Sequence, residues 1–211
     1  MDIQTNSQSD TRTNLLDAAM QLMLEKGFTA TSVDEICKLA GVTKGSFFYY
    51  FGSKEELGNI VLKHFQQMIG EFMQQGPHRA IADPLARIYA YCDFLGAMIL
   101  QPQTPKSCLI GNLSQEMAPT NPAIAATCQA IFAWWTELML VDLEKAKERY
   151  APQKEIDCRA LAEHFIVVFE GALILAKAQQ DFQVVAQHIG HFKSYLACLL
   201  GQPTDALSFV Q

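Results

Sequence analysis

The sequence is 211 residues long, 50% hydrophobic and 18% charged, a composition that can bury a sizeable core and excludes a disordered tail. Sixteen Lys and Arg stand against twenty-two Asp and Glu, a formal charge of −6, which excludes coating of nucleic acid or anionic membrane through bulk charge and leaves DNA binding to a local patch. No secretory pattern opens the chain and no unbroken apolar run reaches the ~18 residues that span a bilayer, so a cytoplasmic protein without membrane contact is expected.

Residues 1–10 are polar and lack apolar periodicity, the pattern of a mobile arm. From there Leu15, Ala19, Leu22 and Met23 recur at helical spacing, with Gly27 placed as a left-handed stop. Ser32 with Glu35 and Ser53 with Glu56 fit reciprocal capping boxes, and Thr43 suits the cap of a short helix between them. Downstream, Asp83-Pro84 and Asn121-Pro122 each read as a cap followed by the first helical position. The predicted helices are 11–26, 33–39, 44–50, 54–75, 84–100, 106–117, 122–150, 155–179 and 182–200, an all-α fold of about nine helices. The six cysteines (Cys37, Cys92, Cys108, Cys128, Cys158 and Cys198) are far apart, so thiols are expected rather than disulfides or a metal site, and no cofactor is expected.

The short helices around Val42 read as a helix-turn-helix, with Ile36, Leu39, Val42, Phe47 and Phe51 as its buried face and Thr43, Lys44, Ser46, Tyr49 and Tyr50 outside. Between Cys37 and Lys54 the chain has Lys38, Lys44 and Lys54 but no carboxylate, an electropositive stretch that suits phosphates. Gly45 lets the backbone approach bases, and Lys44 can donate to a guanine edge. The alternative is a solvated helical hairpin.

Gly27-Phe28, Thr31, Val33, Ile36, the run Ala40-Gly41-Val42-Thr43-Lys44-Gly45-Ser46-Phe47, Tyr50-Phe51 and Ser53-Lys54-Glu55-Glu56-Leu57 resemble the DNA-binding domain of the TetR family of transcriptional repressors, over about residues 12–65. The resemblance implies that Lys44, Gly45 and Tyr49 face bases, while Ser32, Thr43, Ser46, Tyr50 and Lys54 hold phosphates. Phe48 departs from the family's usual Tyr and Cys37 from its common Ala, where a small core residue is expected. The chain then divides into the arm 1–10, a helix-turn-helix DNA-binding domain 11–60 and a ligand-binding and dimerisation domain 61–211.

In that larger part, Val185, Ile189, Phe192, Leu196 and Leu199 form a 4-3-4-3 seam, and residues 165–176 are apolar except for Glu170. The last two helices therefore read as a homodimer interface for a palindromic operator, the alternative being that they complete the core of one protomer. Residues 106–118 and 169–178 resemble the branch of repressors controlling N-ethylmaleimide reductase and acrylate metabolism. That resemblance implies a small electrophile or unsaturated acid as effector, Cys108 as sensing thiol and Lys177 as its neighbour. Cys108 stands beside Lys106 at a predicted helix start, which favours thiolate, and the alternative is a buried small residue. Glu170 and Lys177 share a helical face, and Trp134 stands among aromatics suited to a pocket. A thiol enzyme with Cys108 as nucleophile and His164 as base is the competing class; it leaves the helix-turn-helix unexplained, so a regulator and not an enzyme is expected.

Overall fold

The computed structural model describes residues 3–203, with side chains from residue 11 onward. Among them are nine α-helices: α1 (Ile3–Lys26), α2 (Val33–Ala40), α3 (Lys44–Tyr50), α4 (Lys54–Gln74), α5 (Pro84–Leu100), α6 (Leu109–Met117), α7 (Pro122–Tyr150), α8 (Cys158–Gln179) and α9 (Gln183–Leu200), with one short 3-10 turn at Pro77–Ala80. They form two compact units that do not follow chain order: residues 1–70 with 107–131, and 71–106 with 132–211.

Three boundaries differ from the expected ones by more than one residue, for local reasons. Helical backbone begins at Ile3 instead of after an arm over residues 1–10, of which Met1 and Asp2 lie outside the described residues. No Gly or Pro interrupts that stretch, and each added residue gains one ladder bond once α1 is nucleated. Helix α6 starts three residues late because Lys106 turns its ammonium back to the carbonyls of Ile99 and Gln101, closing α5 instead of opening α6. Asp157, expected inside α8, caps it, its carboxylate accepting the Ala160 N–H at 2.9 Å.

In the first unit, α1 contributes Leu15, Ala19 and Met23, α2 Ile36 and Cys37, α3 Phe47, α4 Leu57, Val61 and Leu62, and α6 Leu109 and Leu113 to one core. Leu39 was expected inside but is 48% exposed. Over only two turns the buried positions of α2 are 36 and 37, so Cys37 takes the core place. The capping box at Ser32 and Glu35 is complete, whereas Glu56 receives its amide proton from Gly52 rather than from Ser53. Gly27 (φ 87°) and Gly41 (φ 69°) take the left-handed stops that β-carbon-bearing residues resist.

In the second unit, α9 packs on both α5 and α8. Val185, Ile189, Phe192 and Leu196 are buried there, Phe192 lying 5.1 Å from the Phe165 ring. The expected dimer seam is therefore filled within the protomer, and the open apolar face is a different one: Val167 (66% exposed), Ile174 and Leu175 on α8, with Tyr195 on α9. Among the described residues α7 alone has the length and apolarity of a membrane-crossing helix, with a third of that stretch (33%) buried. It carries Glu137 and Asp142, which pair with Arg159 and Arg87.

Candidate nucleic-acid interface and effector region

Helix α3 is seven residues long and anchored by a single fully buried side chain, Phe47, leaving most of its surface open. Thr43 caps it, its hydroxyl accepting the Ser46 N–H at 3.2 Å and lying 3.1 Å from the Ser46 hydroxyl. Lys44 and Gly45 are exposed, Ser46 and Tyr50 half-buried, and Phe48 and Tyr49 stand 57% and 71% exposed. Two bare aromatics side by side on a short helix are costly in water and suit stacking or methyl contact with bases. Phe48, which the sequence reading marks only as a departure from the family's usual Tyr, follows the inward Phe47 directly and so stands outward.

Lys44 pairs with Asp34 at 2.7 Å, both side chains more than half exposed, an arrangement that contributes little and can be exchanged for a nucleic-acid acceptor. Lys54 is held differently. Its ammonium donates to the carbonyls of Phe28 at 3.0 Å and Thr31 at 2.9 Å and lies 4.3 Å from the centre of the Phe28 ring. It ties the start of α4 to the α1–α2 turn and keeps one N–H for another acceptor. Ser32 caps α2 and remains exposed. The carboxyl of its partner Glu35 is lowered to about 2, first by the hydrogen bond from Lys26 and then by the Ser32 amide and hydroxyl.

The same turn is held from its other side by α6. The Glu116 carboxylate accepts the Thr29 N–H at 2.7 Å and the Phe28 N–H at 3.1 Å. One turn earlier on that face, Asn112 donates to the Ser107 hydroxyl at 2.7 Å and to the Met23 carbonyl, at the end of α1, at 3.5 Å.

Of the residues expected to meet an effector, Cys108 belongs to the first unit and Trp134, Glu170 and Lys177 to the second. Cys108 is buried and stands at the cap position of α6 in extended backbone, not inside the helix. Its neighbour Lys106 directs its ammonium to the end of α5. Glu170 is half-buried on α8, and Lys177 is exposed in its last turn. Trp134 is half-buried, while the adjacent Trp135 is the hub: its indole N–H donates to the Tyr91 hydroxyl at 2.7 Å and its ring meets Phe165 and Phe169 edge-on. His78, in the short turn before α5, is buried against Tyr91 and Phe94, and burial lowers its pKa. A four-residue turn has no periodicity to reveal it. A cavity of about 220 Å³ opens between α5 and α9, lined by Cys92, Gly96, Ala186, Gly190 and the buried Lys193, whose ammonium meets Asp93 at 2.7 Å. Trp134, Glu170 and Lys177 are not among its lining residues.

Burial pushes the thiols of Cys37, Cys92, Cys128 and Cys158 up, and Cys198 is the exposed cysteine. Among the described residues no three His, Cys, Asp or Glu side chains gather as a metal site.

Residues 15–59 match the family model described as bacterial regulatory proteins, tetR family, and residues 84–192 match the tetracyclin repressor-like C-terminal domain. The HTH-type transcriptional repressor DhaR of Mycobacterium sp. (strain GP1) is 26% identical over 87% of this chain and 90% of its own length. The HTH-type transcriptional repressor NemR of Escherichia coli (strain K12) is 28% identical over 91% of this chain and 96% of its own. The crystal structure of reduced E. coli NemR superposes with a TM-score of 0.73, covering 87% of this chain and 95% of that one at 28% identity.

Proposed function

The chain belongs to the TetR family and is a DNA-binding transcriptional regulator, and from that premise we propose a cytoplasmic, homodimeric repressor that leaves a palindromic operator when a small effector binds. The observation that carries the reading is α3 itself, held by Phe47 from behind and presenting Lys44, Gly45, Phe48 and Tyr49 outward. Residues 11–60 are its DNA-binding domain and 61–211 its effector-binding and dimerisation domain. Lys44, Gly45 and Tyr49 read bases, and Ser32, Thr43, Ser46 and Tyr50 hold phosphates, joined by the remaining N–H of Lys54. Two copies pair through the open faces of α8 and α9, since Val167, Ile174, Leu175 and Tyr195 need cover. The names of the two relatives, both repressors, support repression over activation. The reading includes no catalytic turnover.

The effector is a small electrophile or unsaturated acid, with Cys108 as the sensing residue and Trp134, Glu170 and Lys177 as further effector residues. In the covalent step the Cys108 sulfur bonds the β carbon of the unsaturated acceptor, the π pair moves to the α carbon, and the thiol proton ends there. Helix movement from the sensing segment then respaces the two reading helices.

Footprinting on the DNA upstream of the protein's own gene, with and without N-ethylmaleimide or acrylate, tests this reading. Protection of a palindrome that either compound abolishes supports it, and no protected site refutes it. Cys108→Ser is expected to keep operator binding and lose release; normal release by that variant refutes covalent sensing and leaves a reversible ligand near Trp134, Glu170 and Lys177.

A further inference from the structure

Residues 27–32 form the hinge from which α2, and α3 packed on it, depart. Two side chains hold this hinge from outside the turn, and a third holds the helix end that leads into it. Lys54 takes its carbonyls at Phe28 and Thr31, Glu116 takes its amides at Phe28 and Thr29, and Asn112 reaches the last turn of α1 at Met23. Lys54 lies in the helix that follows α3, whereas Glu116 and Asn112 lie on one face of α6, the helix that Cys108 caps. The sequence around Gly27 is fitted to this carboxylate. Its φ of +87° already favours glycine, and independently a β-carbon there would stand 2.4 Å from Glu116 Oε1. The turn has room for the Glu116 head only because residue 27 has no side chain. A carboxylate on two backbone amides is charge-assisted and directional, so it holds the turn to α6 in orientation as well as distance.

We propose that Glu116 is the positioning residue that couples α6 to the DNA-reading helices: while its carboxylate holds the Phe28 and Thr29 amides, α6 and the hinge move as one body, and a displacement of α6 is delivered to α2 and α3 through this link. The effector-release reading supplies what would displace α6; the link itself rests only on DNA binding. Coupling is reciprocal, so operator DNA that fixes α2 and α3 must also quieten α6.

The test is amide hydrogen exchange of the full-length protein, alone and saturated with the footprinted operator, in the parent and in Glu116→Ala and Glu116→Gln. Gln keeps the size but loses the charge and one acceptor. In the parent, operator is expected to slow exchange across Leu109–Met117 roughly tenfold, and in both variants by under about threefold while footprints at saturating protein persist. A purely structural Glu116 would lower melting temperature and operator affinity yet leave the operator's effect on α6 intact. That result, or a parent whose α6 ignores operator, overturns the proposal. Release by N-ethylmaleimide is measured separately, so a parent that binds operator but is never released sinks the effector reading without touching the exchange result.

Discussion

Lys54 separates two accounts of the same motif, a phosphate contact or an internal tie, and replacing it by Met decides between them. Met keeps the apolar stem and removes the ammonium, with its two bonds to the Phe28 and Thr31 carbonyls and its place over the Phe28 ring. A hydrogen bond from a charged donor contributes ~1.5–3 kcal/mol when well buried, and a cation over an exposed ring ~0.5–1 kcal/mol. Lys54 is only half-buried and the carbonyls can be rehydrated, so the expected loss is about 2–3 kcal/mol. In a chain of this size that lowers Tm by roughly 4–12 °C, readable by thermal denaturation. The remaining N–H gives at most one phosphate contact per protomer, so the salt slope of operator binding changes by about one unit per protomer or less. Lys44→Ala is the contrast. Its partner Asp34 is exposed, so stability is unchanged within ~0.5 kcal/mol, while operator affinity falls by about 1–3 kcal/mol with relaxed base preference. A Lys54→Met protein with unaltered Tm but a flatter salt slope would refute the tie.

Val167→Glu with Ile174→Glu places charge on the open face of α8 and is expected to give folded monomers by light scattering; Phe192→Glu, buried against Phe165, is expected to unfold the protein instead. Limited alkylation mapped by mass spectrometry is expected to label exposed Cys198 first and fully buried Cys92 last, with Cys198 slowing at high protein concentration because it lies beside Tyr195 on α9. Asp93→Ala takes the partner from the buried Lys193, but Asp93 is itself half exposed, so the expected cost is ~1–2 kcal/mol in urea titration, whereas Lys193→Met is near neutral. Glu35 is lowered from 4.5 to about 2, so its contribution is complete above pH 4.5 and lost as pH falls through about 2; Glu35→Gln is expected to remove part of the acid sensitivity of Tm in that window.

The elements were legible wherever a local rule sets them. Thr43, Asp83 and Asn121 each accept the amide three residues on, and Gly27, Gly41 and Gly201 take the left-handed stops, so the starts of α3, α5 and α7 and the ends of α1, α2 and α9 follow from neighbours in the sequence. The errors arise where a side chain acts at a distance. Lys106 reads as a cation beside Cys108 in the sequence, yet the chain folds its ammonium onto the end of α5. The 4-3-4-3 pattern of α9 identifies a buried stripe without naming its partner, and α5 and α8 of the same protomer fill it. Periodicity gives the face; only topology gives the occupant.

The same distinction reorders the motif itself. Lys44 and Lys54 are both lysines in an electropositive stretch, and spacing alone assigns both to DNA. In the fold, Lys44 projects from the open side of α3, and Lys54 turns inward because the α1–α2 turn exposes two carbonyls that α4 passes. That close passage requires Gly58, where a β-carbon would stand 2.9 Å from the Phe28 ring. Glu116 completes the turn from a helix more than eighty residues further along the chain, taking the amides while Lys54 takes the carbonyls. A cation and an anion thus meet the two kinds of backbone group in one hinge, so removing either loosens the point from which the reading helices depart. The residues that determine where α3 points are accordingly not those that would touch bases, and substitutions at Gly27, Lys54 or Glu116 should alter operator affinity without altering which bases are preferred.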